Sequence, residues 1–481
     1  MNPLVTLEIS ERSLCDLIFI TFDRLSHEKS LTVESLREAL QEVVDNILFH
    51  AYKDPNRFLI KVTFFISDTT IRIDVSDTGI PFDFSRFRSE SLSIPPNHSK
   101  GFYRIYDLVD RFYFTNVAGI GKCFTLIDSI DPSVPFETQH TSPEFSKNTT
   151  IDDITVHCFR PENAEGISKL MYYNYEYTYY KAYYYDPDGI RHANAQEEIL
   201  SIVAINSKND SVVGHFAMIP SKTSDIAEIG AAVVDPHYKQ MGIMNRMFDY
   251  LMHLAQKNGL HGIYGEGMML HPYSQKANLR HGMIESAIML GEVPASMEIE
   301  HKIKNPRRSG VVIGYLLFKA NTHLLHFPSR YHQMIEQTYR HGKVPLNGHD
   351  HTPSPFEDPI EYRFNPLLKT GTLALHEDVT PKRIDSLLNE LLARHFDMIY
   401  ADINLHRVAH IDSLVASLNE RLFFYSGVMF RLHHNEDYLR LQRKNTLSID
   451  EEQLICYSPF AQNLLTYIFE DEAAVISSRS F

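Results

Sequence analysis

A chain of 481 residues exceeds what one hydrophobic core commonly serves, so three domains are expected. With 43% hydrophobic and 22% charged residues, the composition excludes a largely disordered chain, and a formal charge of −15 excludes a broadly basic surface for nucleic acid. Cys15, Cys123, Cys158 and Cys456 form no CxxC pair, which excludes a disulfide framework or a zinc ribbon, and no apolar run approaches the ~20 residues of a membrane span. A soluble protein of a reducing cytoplasm is expected, with neither nucleic acid nor membrane among its partners.

Leu31 to Tyr52 places Leu36, Leu40, Val43, Val44, Ile47 and Leu48 on one helical face. Glu42 and Asn46, four apart, share a neighbouring face and can point into one pocket. Two strands follow, FLIKVTFFIS and TIRIDVSD, the second ending in Asp77-Thr78-Gly79-Ile80-Pro81-Phe82-Asp83. Gly101-Phe102-Tyr103-Arg104 then opens a helix, and Gly121-Lys122-Cys123-Phe124 opens a strand. A Pro/Ser/Thr-rich stretch, 131–150, reads as a linker.

In their order and spacing these pieces, covering 1–130, resemble the ATP-binding domain of anti-sigma-factor serine kinases, an α/β sandwich of the histidine-kinase ATPase type. ExxxNxxxHAY matches the N box, DxGxPFD the first glycine box and GFYRIYDLVD the second. The resemblance implies that Asn46 holds the Mg²⁺ of bound ATP as a hard, neutral oxygen ligand. It implies that Glu42 acts as the base on an attacking serine hydroxyl, that Asp77 accepts from the adenine amino group, and that Gly79 lets the backbone pass close to the base. It implies that Gly101 presents amides to phosphate, that the partner is a sigma factor or an anti-anti-sigma protein, and that the chain forms a homodimer. The second box carries one glycine where the family carries two or more, which leaves ATP binding without phosphotransfer as an alternative. An isolated ExxxN reads as no more than the polar face of a surface helix; the downstream DTGIPFD is what favours nucleotide binding.

From 151 the pattern changes. A strand, ITVHCFRP, enters a helix, ENAEGISKLMYYNYEYTYY, and nine tyrosines fall between Tyr172 and Tyr185. They line an acceptor pocket or pack as core and rim. Strands LSIVAIN and SVVGHFAMI follow, and AEIGAAVVDP leads through HYKQMG into a helix with Met244, Met247, Phe248, Leu251 and Leu254 on one face. This order, with Val233-Val234-Asp235-Pro236-His237-Tyr238-Lys239-Gln240-Met241-Gly242-Ile243-Met244, resembles the coenzyme-A-binding loop of GNAT N-acetyltransferases.

The physics is anion binding by amides and dipole at a helix start. The resemblance assigns 151–305 a GNAT fold with a mixed central sheet, acetyl-coenzyme A as the acetyl donor and an unknown amine as acceptor. It puts Glu228 where the family often keeps its base, although a solvent-facing strand residue is an equal reading. The usual tyrosine acid is replaced by Asn278, which leaves Tyr273 or solvent to protonate the departing thiolate, and leaves as an alternative a GNAT body that binds acetyl-coenzyme A as a sensor without transfer. His271 stands where many relatives have Asn.

A third α/β segment, 306–440, closes with ADINL…LVASLNERLFFYSGVMF, similar to the end of a GNAT domain but without the coenzyme A loop. A degenerate GNAT-like domain is expected there, followed by a C-terminal extension, 441–481. The fold class is α/β (α+β) throughout. Histidine pairs in this segment, such as His433 and His434, lack the converging ligands a metal needs.

Overall fold

The computed structural model describes residues 3–28, 34–52, 54, 57–67, 70–81, 104–105, 108–117, 121–129, 150–294, 297–299, 303–304, 308–319, 325–346, 356, 358–446, 449, 451 and 454–478. The chain divides into two compact units: Met1–Gln196 with Val203–His215 and Val233–Ile243, and Glu197–Ile202 with Phe216–Ala232 and Met244–Phe481. Among the described residues no helix is long and apolar enough to cross a membrane.

In the first unit, strands β1 (Val5–Ile9), β2 (Ile60–Ile66), β3 (Thr70–Asp77), β4 (Arg111–Val117) and β5 (Gly121–Ser129) form an antiparallel sheet in the order β1-β2-β3-β5-β4. Alternation drives it: Ile60, Val62 and Phe64 of β2 and Ile71, Ile73 and Val75 of β3 are buried at every second position. They share one core with Ile18 and Phe22 of helix α1 (Asp16–Glu28) and with Leu36, Leu40, Val43 and Val44 of α2 (Glu34–Asn46). Each such side chain contributes roughly 1.5–3 kcal/mol on burial. The α2 face is the one its periodicity predicts, with Leu48 only partly covered. The helix continues as a π turn over Ile47–Ala51, a widening that single functional turns often show.

The same unit holds β6 (Ile154–Cys158), α3 (Ala164–Tyr175), a 3₁₀ turn Ala182–Tyr185 and α4 (Pro187–Ala195). The tyrosine-rich run is therefore not one long helix. It breaks after Tyr175, where Glu176 takes φ 47° and ψ −131°, and Tyr184 and Tyr185 of the following turn are completely buried.

In chain order β7 (Leu200–Asn206) and β8 (Ser211–Pro220) follow. In the second unit the sheet then contains β9 (Ile226–Val234, with Val233 and Val234 belonging to the first unit), β10 (Gly262–Met268), β14 (Ser309–Leu317) and β11 (Ile284–Val293) in that spatial order, while β12 (Glu298–Ile299) and β13 (Ile303–Lys304) pair with each other. The β9–β10 pair is parallel, and β10–β14 and β14–β11 are antiparallel. The expected domain boundary at 305 falls just before β14. The structure corrects it: β14 lies between β10 and β11, so the strand SGVVIGYLL belongs with the strands before it. Helices α5 (Ile243–Lys257) and α6 (Tyr273–Arg280) connect these strands, with Met247, Phe248 and Leu251 of α5 buried as its spacing predicts.

Beyond α7 (His332–His341), strands β15 (Ile360–Asn365), β16 (Thr370–Leu375), β17 (Met398–Asn404), β18 (Phe424–His433) and β19 (Glu436–Lys444) continue the sheet, with α8 (Pro381–Ala393) and α9 (Ile411–Glu420) between them. The order β16-β17-β19-β18 repeats β9-β10-β14-β11, parallel first and then twice antiparallel. The repetition extends to register. β10 pairs Gly262–Met268 with Leu317–Val311, and β17 pairs Met398–Asn404 with Lys444–Tyr438. The β11–β14 ladder slips between Glu285 and Ala287 and between Met289 and Val293. The β18–β19 ladder slips between Tyr425 and Gly427 and between Met429 and His433, the same points 140 residues later.

The two sets meet where Ala287 of β11 pairs with its counterpart Gly427 of β18. Gly427 sits at φ 149°, and a Cβ there would strike the Ala287 backbone, so only glycine permits this close approach. The C-terminal stretch begins inside β19, not after 440, and ends in α10 (Pro459–Ser477), capped by Ser458 Oγ accepting from Ala461 N.

Candidate functional site

In the first unit, the end of β3 carries Asp77 into a buried corner. Its Oδ1 accepts from Gly79 N at 2.8 Å and from Lys122 Nζ at 2.7 Å, while Oδ2 has no partner among the described residues. Lys122 on β5 is buried and also donates to Ile80 O at 2.8 Å. Burial pushes its pKa down, and the Asp77 carboxylate opposes that. A buried carboxylate oxygen without a donor carries a desolvation cost that a ligand N–H would relieve. That is the donor an adenine amino group offers.

Gly79 approaches the N-box helix itself: a Cβ would collide with the carbonyl of Ala51, which accepts from Ile80 N at 2.7 Å. Its smallness is therefore required by chain packing, a constraint different from the one the motif suggests. Asn46 Nδ2 donates back to Glu42 O at 2.6 Å, and its amide oxygen has no partner among the described residues. Glu42 Oε1 lies 3.4 Å from Arg104 Nη1, and Arg104 also pairs with Glu38. Gly101, with Phe102 and Tyr103, lies outside the described residues.

The second candidate site begins where β9 and β10 part. Their ladder runs from Ile226↔Gly262 to Ile229↔Gly265, yet β9 continues to Val234 and β10 to Met268. Ala231 takes φ 48°, an unusual conformation for a residue with a Cβ, and turns the strand away. A gap edged by strand backbone can take an extended amide-bearing chain such as pantetheine.

Val233 and Val234 are buried, fixing the end of β9. Asp235 accepts from His237 N at 2.9 Å and starts a short turn whose Tyr238 is anchored by Asn206 Nδ2 at 3.1 Å. Lys239, Gln240 and Gly242 are exposed, Gln240 at φ 67° and Gly242 at φ 82°, and a Cβ on Gly242 would meet nothing within 4 Å. Gly242 is thus demanded by its backbone angle, with open space beside it. Met241 and Met244 are half-buried, and Ile243 is buried at the first turn of the 15-residue α5. An exposed loop turning into a helix start is an arrangement that can hold an anion.

Glu228, half-buried on β9, lies opposite Tyr264 in the ladder. Its carboxylate helps raise the pKa of Glu292, after burial as the main cause; Glu292 accepts from Tyr400 OH at 2.8 Å with Arg440 and Arg308 nearby. Sequence reasoning missed Glu292, Tyr400 and Lys122 because their partners are remote in the chain. Tyr273 is 69% exposed, its ring against half-buried His271, which places its phenol in solvent. Asn278 lines a small cavity with Gly267, Gln275, Met283, Glu285 and Gly314.

The repeated half lacks the gap. β16 and β17 stay paired from Thr370↔Met398 to Leu375↔Ile403, and Thr372 stands opposite Tyr400 where Glu228 stands opposite Tyr264. The stretch after β16, His376 to Thr380, carries no glycine. His376 is fully buried, with Nδ1 2.8 Å from Tyr438 OH, and burial pushes its pKa down to about 4.

Residues 166–282 match the family model described as Acetyltransferase (GNAT) family. The chain therefore carries a GNAT acetyltransferase domain, and its N-terminal region distantly matches an anti-sigma-factor serine kinase. "Serine-protein kinase RsbW" of Bacillus cereus is 33% identical over 101 residues, covering 19% of this chain and 62% of the kinase. The same-named protein of Bacillus velezensis is 26% identical over 101 residues, covering 63% of its length. The chain thus spans less than two thirds of these kinases. Among solved structures, an N-acetyltransferase from Staphylococcus aureus aligns at 14% identity and TM-score 0.29, covering 34% of this chain and 99% of that one. A spermidine N-acetyltransferase from Vibrio cholerae aligns at 15% identity and TM-score 0.29, covering 34% and 94%.

Proposed function

We propose that the chain transfers the acetyl group of acetyl-coenzyme A to an amine, and that its N-terminal domain binds Mg-ATP. The observation that carries the first part is the parting of β9 and β10 at Ile229 and Gly265, followed by the Gln240–Gly242 turn into α5. The residues present fit the donor: strand backbone for the amide chain, the helix start for the pyrophosphate, and Lys239 as an exposed cation at the loop. Acetyl-coenzyme A supplies the thioester. Glu228, directly or through water, takes the proton of the attacking amine, and the nitrogen–carbon bond forms as the carbon–sulfur bond breaks. With Asn278 unable to donate an acidic proton and Tyr273 in solvent, the thiolate takes its proton from water. The β15–β19 half reads as a degenerate GNAT-like domain, closed to coenzyme A.

Glu228→Gln tests the base: kcat should fall roughly 10²- to 10⁴-fold with the KM for acetyl-coenzyme A little changed. A variant with unaltered kcat would remove Glu228 from the chemistry.

At the nucleotide site, Asp77 Oδ2, unpaired among the described residues, supports adenine recognition, and Asn46, with its amide nitrogen turned to Glu42 O, would offer its amide oxygen to Mg²⁺. The pairing of Glu42 with Arg104 favours binding over phosphotransfer, because the guanidinium engages a carboxylate oxygen that an attacking hydroxyl would need. This supports an ATP-dependent regulator that engages a sigma factor or anti-anti-sigma protein. Asn46→Ala should abolish the rise in melting temperature that Mg-ATP produces, while the rise with acetyl-coenzyme A persists. Retention of the ATP-induced rise would show that Asn46 holds no metal-bound phosphate.

A further inference from the structure

The Asp77 corner and the loop segment Val233–Ile243 both belong to the first unit and are joined by four consecutive residues. Tyr177 OH donates to Gly79 O at 2.8 Å, on the turn whose Gly79 N bonds Asp77 Oδ1. Three residues earlier, buried Asn174 donates through Nδ2 to Leu170 O at 2.9 Å and to Val234 O at 3.3 Å. Val234 is the last residue of β9, directly before the loop that reaches Gly242. One end of α3 therefore grips both the adenine corner and the root of the pyrophosphate loop.

Three further features make this junction stiff. Glu176, between the two anchors, holds φ 47° and ψ −131°, a sparsely populated conformation for a residue with a Cβ, of the kind that persists only where surroundings over-determine it. Tyr177 packs on Tyr172 at 5.4 Å and on Tyr185 at 4.9 Å, and the Tyr185 hydroxyl accepts from Tyr179 N at 2.9 Å. Arg57 reaches to 4.0 Å from Glu176, adding a tie from the N-terminal sheet domain.

We propose that an adenine nucleotide at Asp77 and coenzyme A at the loop after β9 bind cooperatively, coupled through Asn174–Tyr177. The proposal rests on both site readings given above. Its physical basis is that one docked arrangement presents both cradles. A ligand that favours the Gly79–Tyr177 bond stabilises the helix end that also positions Val234, and the second ligand then meets a site already ordered. Linkage requires the effect to be reciprocal and of equal factor.

The test is calorimetric titration of the full chain with acetyl-coenzyme A, with and without saturating Mg-ATP, and the converse. The expected result is a Kd for each ligand lowered about fivefold or more by the other. In Tyr177→Phe, which removes only the hydroxyl, both ligands should still bind and the factor should fall to about one; Asn174→Ala should do the same from the other anchor. Each variant's far-ultraviolet circular dichroism should match the parent. Two independent binding isotherms with unchanged Kd values would overturn the coupling, and so would an undiminished factor in both variants. Absence of any ATP binding in the ATP-only titration is a separate result: it defeats the nucleotide reading itself, and the coupling with it.

Discussion

Gly242→Glu is expected to leave the protein folded and to abolish its stabilisation by acetyl-coenzyme A. Gly242 sits at φ 82°, where a residue with a Cβ pays about 1–2 kcal/mol. No atom lies within 4 Å of the added Cβ, so the fold itself is not obstructed. The melting temperature without ligand should therefore drop by only a few degrees. The carboxylate, however, would stand at the start of the 15-residue α5, occupying the amides and opposing the pyrophosphate charge. A ligand at about 100 times its Kd stabilises by roughly 2.7 kcal/mol, and that increment should vanish along with at least about 100-fold in transfer rate. Gly242→Ala separates strain from charge and should keep a reduced ligand-induced shift. If Gly242→Glu keeps the full shift, coenzyme A does not lie on this loop.

Arg440→Met should be among the most destabilising single substitutions in the second unit. Arg440 Nε and Nη2 reach Asp402 Oδ1 and Oδ2 at 2.6 and 2.8 Å, with both residues buried, and the guanidinium lies 5.3 Å from the Tyr400 ring. Burial acts to raise the Asp402 pKa, and Arg440 overrides it, holding the carboxyl far below the usual range. Removing the cation strands that carboxylate, at a cost of about 3–5 kcal/mol. Removing both charges, in Asp402→Leu with Arg440→Met, should restore most of the loss, because the desolvation cost of two ions disappears together.

The sign with pH follows. In the parent, the depressed carboxyl stabilises the fold at neutral pH and loses that contribution only in strong acid. In Arg440→Met, burial loses its main opponent and the folded pKa rises, so the deficit should narrow as pH falls. His433 Nε2, 3.7 Å from Asp402 Oδ2, faces the pair together with Glu292, Tyr315 and Tyr400, and His433→Gln in the same background controls for the histidine. Urea unfolding at neutral and mildly acid pH measures this. A constant deficit across pH would mean that the lost stability is packing rather than charge.

Local pattern carried the reading far where chemistry sits on one short stretch. The α2 face, the Asp77-to-Pro81 turn and the loop from Val234 to Gly242 were legible because each depends on residues within a few positions of one another. The tyrosine run was legible as unusual, yet its division at Glu176 was not, since helical propensity gives no reason to stop there. Tyr273 was a sensible substitute acid by position in the sequence, and its exposure is set by how α6 lies on the sheet.

What the sequence by itself determined is the set of backbone devices: the alternation of β2 and β3, the helical face of α2, and the left-handed turn at Gly242 leading into a helix. Tertiary structure alone decided which strands became neighbours. It inserted β14 between β10 and β11, repeated their bulges in β18 and β19, paired Lys122 with Asp77 across 45 residues and set Tyr177 on Gly79 across 98. The reason is physical. Backbone angles and amphipathic periodicity are fixed by near neighbours, whereas strand order and buried polar pairing depend on which distant surfaces exclude water together.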